Sequence, residues 1–384
     1  MQQTVCCPSP RGVVSVPMTL NVLLHDFSRR QPFGGIKVQY EFANRLSAIG
    51  HDVALYHSLN FDRQIGRHPR SIAGLVRYNL RGRQMVDWFE LDKRVRCRFV
   101  PCIMPRILRP ADATIVDSFV VAERIPRETA RTGLLFHIVY EFPVWQCGTV
   151  DLRDRLALSL QREGIAHIAT STAVEEMLAE LGVRPVAKIT CGIDFPPTSL
   201  VPPISSRRPI IGFALRPEAY KGAVDMLRAI PLIRAEHPYA QFECFGRNCE
   251  GLDLPEGLEV HGYLDEQQLL ALYRRCMIFV SPSHAEGWGL TAAEAMANGA
   301  AVVVTQDGGS RDFAIHGETA LIVPPREPRS IADATSALLR DASLRSKIVA
   351  GGMKRCQEMS WERSVRQLNS LLSARVGERR IGAA

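Results

Sequence analysis

The sequence lacks the marks of several protein classes. No apolar run in its 384 residues approaches the ~20 that a membrane-spanning helix needs. The stretch from Met1 to Pro17 has neither the basic start nor the apolar centre of a secretory leader, so these residues read as a disordered extension and the expected location is the cytoplasm. None of the ten cysteines forms a C-x-x-C pair and no histidine cluster has zinc-ligand spacing, so the thiols read as reduced core residues and no metal or other cofactor is expected. No G-x-G-x-x-G follows the first strand-like run, which removes the main sign of a nicotinamide dinucleotide site. Internal repeats and low-complexity segments are also missing.

What is present is the composition of a soluble globular protein, 46% hydrophobic and 23% charged, in a chain long enough for two domains of ~150–200 residues. The net charge is +7, and the excess is concentrated between Arg63 and Arg109, where Arg67, Arg70, Arg77, Arg81 and Arg83 cluster. Such a cluster is either a solvated face or an attraction for anionic lipid or phosphate-bearing substrates. No nucleic-acid recognition motif accompanies it.

Hydrophobic periodicity alternates between short buried runs and helical stripes. Leu20 to Leu24 reads as a strand, Gly34-Gly35 follows in a loop, and Val38, Phe42, Leu46 and Ile49 recur at helical spacing up to Gly50. With Val53 to Tyr56 this makes a βαβ unit and implies a parallel sheet. Ala113 to Val116, Leu134 to Tyr140, Ile165 to Ala169 and Ala187 to Thr190 continue the series. A proline- and serine-rich stretch, 195–209, reads as an interdomain connection. A second series follows: strands at Ile210 to Ala214, Gln241 to Phe245, Leu258 to His261, Met277 to Val280 and Ala301 to Thr305, with helical patterns at Val224 to Ile233, Gln267 to Tyr273, Leu290 to Ala297 and Trp361 to Val376. The expected fold is α/β, with two Rossmann-like doubly wound domains facing across a cleft. The divisions are 1–17 as extension, 18–197 as first domain, 198–205 as linker, 206–360 as second domain, and 361–384 as a helix crossing back, then a tail.

The most informative segment runs from Phe279 to Ala297, a strand, a glycine-containing turn and a helix. Gly287 and Gly289 permit close backbone approach, and the free N–H groups of Gly289, Leu290 and Thr291 at a helix start form a site for a diphosphate. Glu294 falls on the same stripe as Leu290, Ala293 and Ala297, where a carboxylate needs a partner; ribose hydroxyls would serve, or the residue simply complements the helix dipole. Glu286 points from the turn at whatever lies above the helix.

Glu286 and Glu294, eight apart around Gly-x-Gly, resemble the E-x7-E signature of retaining glycosyltransferase family 4, whose fold is of the GT-B type. The resemblance implies that Glu286 meets donor-sugar hydroxyls, that Glu294 holds the ribose, and that the Gly289, Leu290 and Thr291 amides hold the distal phosphate. Arg216 and Lys221-Gly222 resemble the family's cations that clamp the donor diphosphate, with Leu215 where glycine is usual. Two fixed cations stabilise a departing nucleoside diphosphate without a metal. Gly34-Gly35 resembles the glycine pair near the donor phosphate, Gly262-Tyr263-Leu264 the loop whose backbone meets the base, Gly192-Ile193-Asp194 the motif closing the first domain, and Trp361-Glu362 the start of the crossing helix. Gly308-Gly309 resembles the turn near the sugar, with Asp312 where glutamate is frequent. Many members carry a histidine at the tip of the strand matching Leu134 to Tyr140. Here His137 lies inside that strand and reads as a core histidine, which leaves Tyr140 and Glu141 as the better candidates to meet donor or acceptor.

The implied reaction is retaining transfer of a sugar from a nucleoside diphosphate sugar to an acceptor hydroxyl, on a cell-surface glycan, a lipid-linked acceptor or a natural product. Alternatives are a nucleotide-sugar epimerase, a sugar phosphorylase or a non-catalytic nucleotide-sugar-binding subunit. The implied partners are the donor, the acceptor and, through the basic cluster, an anionic membrane at its inner face.

Overall fold

The computed structural model describes residues 16–27, 34–59, 72–125, 131–246 and 252–382. Most of the expected extension, together with Arg63, Arg67 and Arg70, lies outside the described residues.

Among the described residues, thirteen strands form two sheets. The first contains β1 (Thr19–Leu24), β2 (Asp52–Ser58), β3 (Arg96–Val100), β4 (Ala113–Val116), β5 (Leu134–Val139), β6 (Ile165–Ala169) and β7 (Ala187–Lys188), in the order β3-β2-β1-β4-β5-β6-β7. The second contains β8 (Ile210–Leu215), β9 (Gln241–Gly246), β10 (Leu258–Val260), β11 (Ile278–Ser281), β12 (Ala301–Thr305) and β13 (Leu321–Val323), in the order β10-β9-β8-β11-β12-β13. Every pairing is parallel, as in β1 on β2, where Leu20 stands opposite Val53 and Val22 opposite Leu55. Helices cover both faces of such sheets, which is why strands such as β12 (Ala-Val-Val-Val-Thr) are buried at every position.

Strand order reverses between β1 and β4 in the first sheet and between β8 and β11 in the second, creating a crevice at the carboxyl ends of each pair. The expected α/β architecture of two doubly wound domains is therefore present. No helix among the described residues is long and apolar enough to cross a membrane.

Expectations about the first helix need correction: Gly34 and Gly35, expected in a loop, are its first two residues. The first helix spans Gly34–Ala48, and Ile49 lies outside it, 47% exposed, because the chain leaves the sheet face at Gly50 (φ 105°). The 195–209 connection carries structure of its own. It forms two 3-10 turns, and the buried guanidinium of Arg207 donates to the carbonyls of Pro202, Tyr273, Cys276 and Asn298, fastening the connection to the second domain. The sequence reading also missed strands β3 and β13 and the helices Ile72–Arg81, Val150–Leu160, Pro328–Arg340 and Ala342–Cys356.

The last helix, Trp361–Gly382, packs against the first domain. The Trp361 ring meets Phe42 edge-on at 5.4 Å, Asn369 bonds His51 at 2.8 Å, and Arg380 pairs with Asp112 at 2.7 Å.

Candidate active site

The crevice of the second sheet gathers the residues singled out in the sequence. Arg216 follows directly on β8, and the turn carrying Glu286 follows β11, so the reversal of strand order brings them together. Arg216, Lys221, Ser283, Glu286 and Thr291 line one small hollow of about 50 Å³. Lys221 Nζ lies 2.8 Å and 2.9 Å from the two carboxylate oxygens of Glu286, and the Ser283 hydroxyl donates to Oε1 at 2.7 Å. Burial opposes the charge on Lys221, but Glu286 outweighs it and raises the ammonium above its ordinary pKa. Arg216 Nε is buried without a hydrogen-bond partner among the described residues, 3.6 Å from Glu218. A buried guanidinium N–H in that condition is suited to an anionic ligand.

Glycine makes two of these approaches possible. Gly222 sits at φ 65°, and a Cβ there would come within 1.9 Å of the Pro282 carbonyl oxygen. The Lys221 turn can therefore lie flat against the segment bearing Glu286. Gly287 faces the first domain, where a Cβ would come within 2.6 Å of the Tyr140 carbonyl oxygen.

The helix Leu290–Ala297 starts at Gly289 (φ 91°), with no side chain capping it among the described residues. Its first N–H groups have no partner within the helix, and Thr291, in that first turn, lines the hollow. Glu294, one turn on, is partly buried and already partnered. Lys37 Nζ donates to it at 2.9 Å and the Tyr273 hydroxyl at 3.2 Å. Lys37 comes from the helix Gly34–Ala48 of the first domain and also lies 3.5 Å from Glu266. Burial works against its charge, yet Glu294 and Glu266 together hold its pKa above the ordinary lysine value. A second hollow of about 130 Å³ lies here, bordered by Lys37, Asp194, Glu266 and Glu294. Tyr263 stands 40% exposed on the same side, after Gly262 (φ 65°), whose carbonyl accepts from the Gly246 amide, and Leu264 is part-buried in a small cluster with Ile210, Leu272 and Cys276. Beyond Gly34 and Gly35 a Cβ would meet nothing within 4 Å.

The residues assigned to the acceptor region behave differently. Glu141 is buried and turned into its own domain, where its carboxylate accepts from the Phe119 amide (2.7 Å), the Tyr140 amide (2.8 Å) and His137 Nε2 (3.2 Å). Burial alone would raise its pKa, but His137 and these hydrogen bonds lower it below the carboxylate norm. Glu141 therefore holds the strand tip in place rather than projecting into the cleft. His137 is wholly buried, as its position inside the strand implied, although its Nδ1 finds no partner among the described residues. The Tyr140 hydroxyl is likewise buried and unpartnered, with burial pushing its pKa well up. Asp312 is engaged between the domains. It accepts from the amide and hydroxyl of Thr172 (2.9 and 2.5 Å) at the start of a first-domain helix, and so ties the domains together.

Sequence reasoning missed three groups. The crevice of the first sheet, at the carboxyl ends of β1 and β4, holds His25 and Asp117, whose Nδ1 and Oδ2 lie 2.7 Å apart. The Asp117 charge raises the imidazole to a pKa of about 9, so it is cationic at neutral pH. Asp307 is buried beside Glu286, whose amide donates to the Asp307 carbonyl at 2.9 Å. Burial, then the Glu286 charge, pushes its carboxyl up to about 7. Lys37 is the third. The strand-end positions of His25 and Asp117 were a usable signal; nothing local marked the others.

One acidic cluster stands apart from this cleft. Glu243, Glu259 and His261 bring ligand-type atoms within 4.8 Å of one another. The cation they face is the Arg275 guanidinium, which donates to Glu243.

Residues 199–355 match the family described as glycosyl transferases group 1. A glycogen synthase of Mycobacterium tuberculosis is 29% identical over 239 residues, 57% of each chain. A D-inositol 3-phosphate glycosyltransferase of Corynebacterium efficiens is 36% identical over 107 residues, 28% of this chain and 25% of the relative. The chain thus spans little more than half the length of the longest-matching curated relative. Among solved structures, sucrose-phosphate synthase from Thermosynechococcus elongatus superposes with a TM-score of 0.68 at 18% identity, over 95% of this chain and 100% of that one. Anabaena HepE in complex with UDP-glucose superposes with a TM-score of 0.66 at 15% identity, over 93% and 100%. The fold is therefore of the GT-B kind, and the second domain carries the group 1 match.

Proposed function

We propose, taking membership of the group 1 glycosyltransferases as premise, that this chain moves a sugar from a nucleoside diphosphate sugar to an acceptor hydroxyl with retention at the anomeric carbon. The observation that carries the reading is the single hollow that Arg216, Lys221, Glu286 and Thr291, in the first turn of the helix Leu290–Ala297, line together. Two cations and open backbone amides stabilise the negative charge that develops on a departing diphosphate, with no metal required. Glu286, fixed by Lys221 and Ser283, is placed to accept hydrogen bonds from sugar hydroxyls. Glu294 is the acid for the ribose, and the Gly262–Leu264 loop and Gly34–Gly35 flank the nucleotide and its phosphates. Closure of the two domains excludes water, whose attack would waste the donor.

The helix Ile72–Arg81 leaves Val76 and Leu80 exposed (52% and 82%) beside Arg77 and Arg81, a pairing of apolar and basic groups that suits a peripheral contact with an anionic membrane.

The deciding experiment is thermal stabilisation by a panel of UDP-, GDP- and dTDP-sugars, since a ligand that binds only the folded state raises its stability by mass action. One nucleotide class is expected to raise Tm, and the rise is expected to vanish in Glu294→Ala and Lys221→Ala. Absence of a shift with every nucleotide sinks the reading.

A further inference from the structure

Beyond the hollow around Lys221 and Glu286, the interdomain cleft widens into two adjoining spaces of about 450 and 460 Å³ that share Gln146 and His284. Their walls come from both domains. The first domain supplies Gln146 and Gly148 at the end of the helix Phe142–Cys147, and Arg153 from the helix Val150–Leu160. The second supplies Tyr220, His284 and Arg326. Tyr220 precedes Lys221 directly, and His284 follows Ser283, which bonds Glu286, so this space opens onto the place where a donor sugar would lie.

Three features set it apart. Arg153 lines it from the first domain and Arg326 from the second, and among the described residues neither guanidinium has a hydrogen-bond or ion-pair partner. No carboxylate lines the space between them. Arg326 is also the single non-glycine residue at positive φ (64°) among the described residues. Glycine or asparagine holds that conformation at less cost, so an arginine there keeps backbone strain. Three other cations of the cleft are paired: Lys37 with Glu294, Arg311 with Glu176 and Lys221 with Glu286. Two unpaired guanidinium groups lining one space offer the several N–H donors that the oxygens of a phosphate accept.

We propose that this space is the acceptor subsite and that it selects an acceptor bearing a phosphate group, gripped between Arg153 and Arg326. The inference rests on the transferase reading above and names its substrate class. The phosphate ester could be that of a soluble sugar phosphate or of a lipid-borne headgroup, since both present the same oxygens.

The test uses the full chain, first saturated with the nucleoside diphosphate that stabilises it, so that the diphosphate hollow is filled. Binding is then titrated with glucose 6-phosphate against glucose, and with dihexanoyl phosphatidic acid, kept monomeric, against dihexanoyl glycerol. The wild type should prefer at least one phosphorylated probe over its phosphate-free counterpart. The pair Arg153→Gln and Arg326→Asn, the second chosen because asparagine tolerates positive φ, should weaken that probe tenfold or more and leave the nucleotide Kd unchanged. Response to the sugar phosphate assigns a soluble source, and response to the phosphatidic acid a lipid one. Equal or absent binding of phosphorylated and phosphate-free probes by the wild type overturns the proposal, as does undiminished phosphate binding by the double variant. Failure of every nucleotide to bind would fall on the transferase reading instead.

Discussion

Lys37, on the first helix of the first domain, and Glu294, on the helix Leu290–Ala297 of the second, form an ion pair of 2.9 Å across the cleft. They are 257 positions apart in sequence. The acid assigned to the ribose is thus held by a cation of the opposing domain, and the neighbouring hollows of about 130 and 50 Å³ are smaller than the several hundred that ligand sites usually offer. On the proposed reading, a nucleotide whose ribose meets Glu294 displaces Lys37 from it. Lys37→Met is therefore expected to tighten nucleotide binding severalfold in calorimetric titration; an unchanged or weaker Kd would show that the ammonium contributes to the bound state instead.

Gly287 and the Tyr140 carbonyl define how closely the domains meet. A methyl group at 287 would come within 2.6 Å of that oxygen, well inside contact distance. Gly287→Ala should leave the unfolding midpoint of each domain nearly unchanged while reducing transfer activity at least tenfold, because the closed arrangement becomes inaccessible. Activity close to wild type would show that catalysis does not require this approach.

Arg207 is a buried cation without a carboxylate partner, satisfied by backbone carbonyls of four residues. Burial lowers its pKa to about 10, so it stays charged at neutral pH. Arg207→Met removes charge-assisted bonds and leaves carbonyls at Tyr273 and Asn298 without this donor, at an expected cost of about 2–4 kcal/mol in urea unfolding of the second domain. A cost under about 1 kcal/mol would mean that water replaces the guanidinium.

Asp307 supplies a pH dependence of definite sign. Its folded pKa is about 7, above the aspartate norm, so the folded chain keeps a proton that the unfolded chain releases at lower pH. Its contribution is present at acidic pH and is lost as pH rises toward and through 7. Asp307→Asn keeps the hydrogen-bonding shape without the charge. Melting at about pH 5 and pH 8 should show a smaller fall in Tm for the variant than for the wild type. Parallel falls would show that Asp307 does not titrate in this range.

The segment from Ile278 to Ala297 was legible because local signals agree there. A run of buried residues precedes glycines at turn positions, and the following helix begins and ends at the residues its apolar spacing predicts, Leu290 and Ala297. Helices such as Ile72–Arg81 and Val150–Leu160 were not legible, since they cover a sheet with only part of one face and carry charge on the rest. Glu141 was misjudged for a related reason. A carboxylate at a strand tip usually looks outward to solvent or ligand, but here two backbone amides and His137 draw it inward.

By itself the sequence determined the alternation of strand and helix, the parallel sheets that this alternation requires, and the glycines that let Lys221 approach the Glu286 turn. Those are consequences of periodicity and backbone sterics, which act over a few residues. Only the tertiary structure decided that Lys37 meets Glu294, that His25 meets Asp117, and that Arg153 and Arg326 face an open space together. Electrostatic partners are set by the order in which strands enter a sheet and by how two domains meet, and charge leaves no periodic trace along the chain from which such meetings could be read.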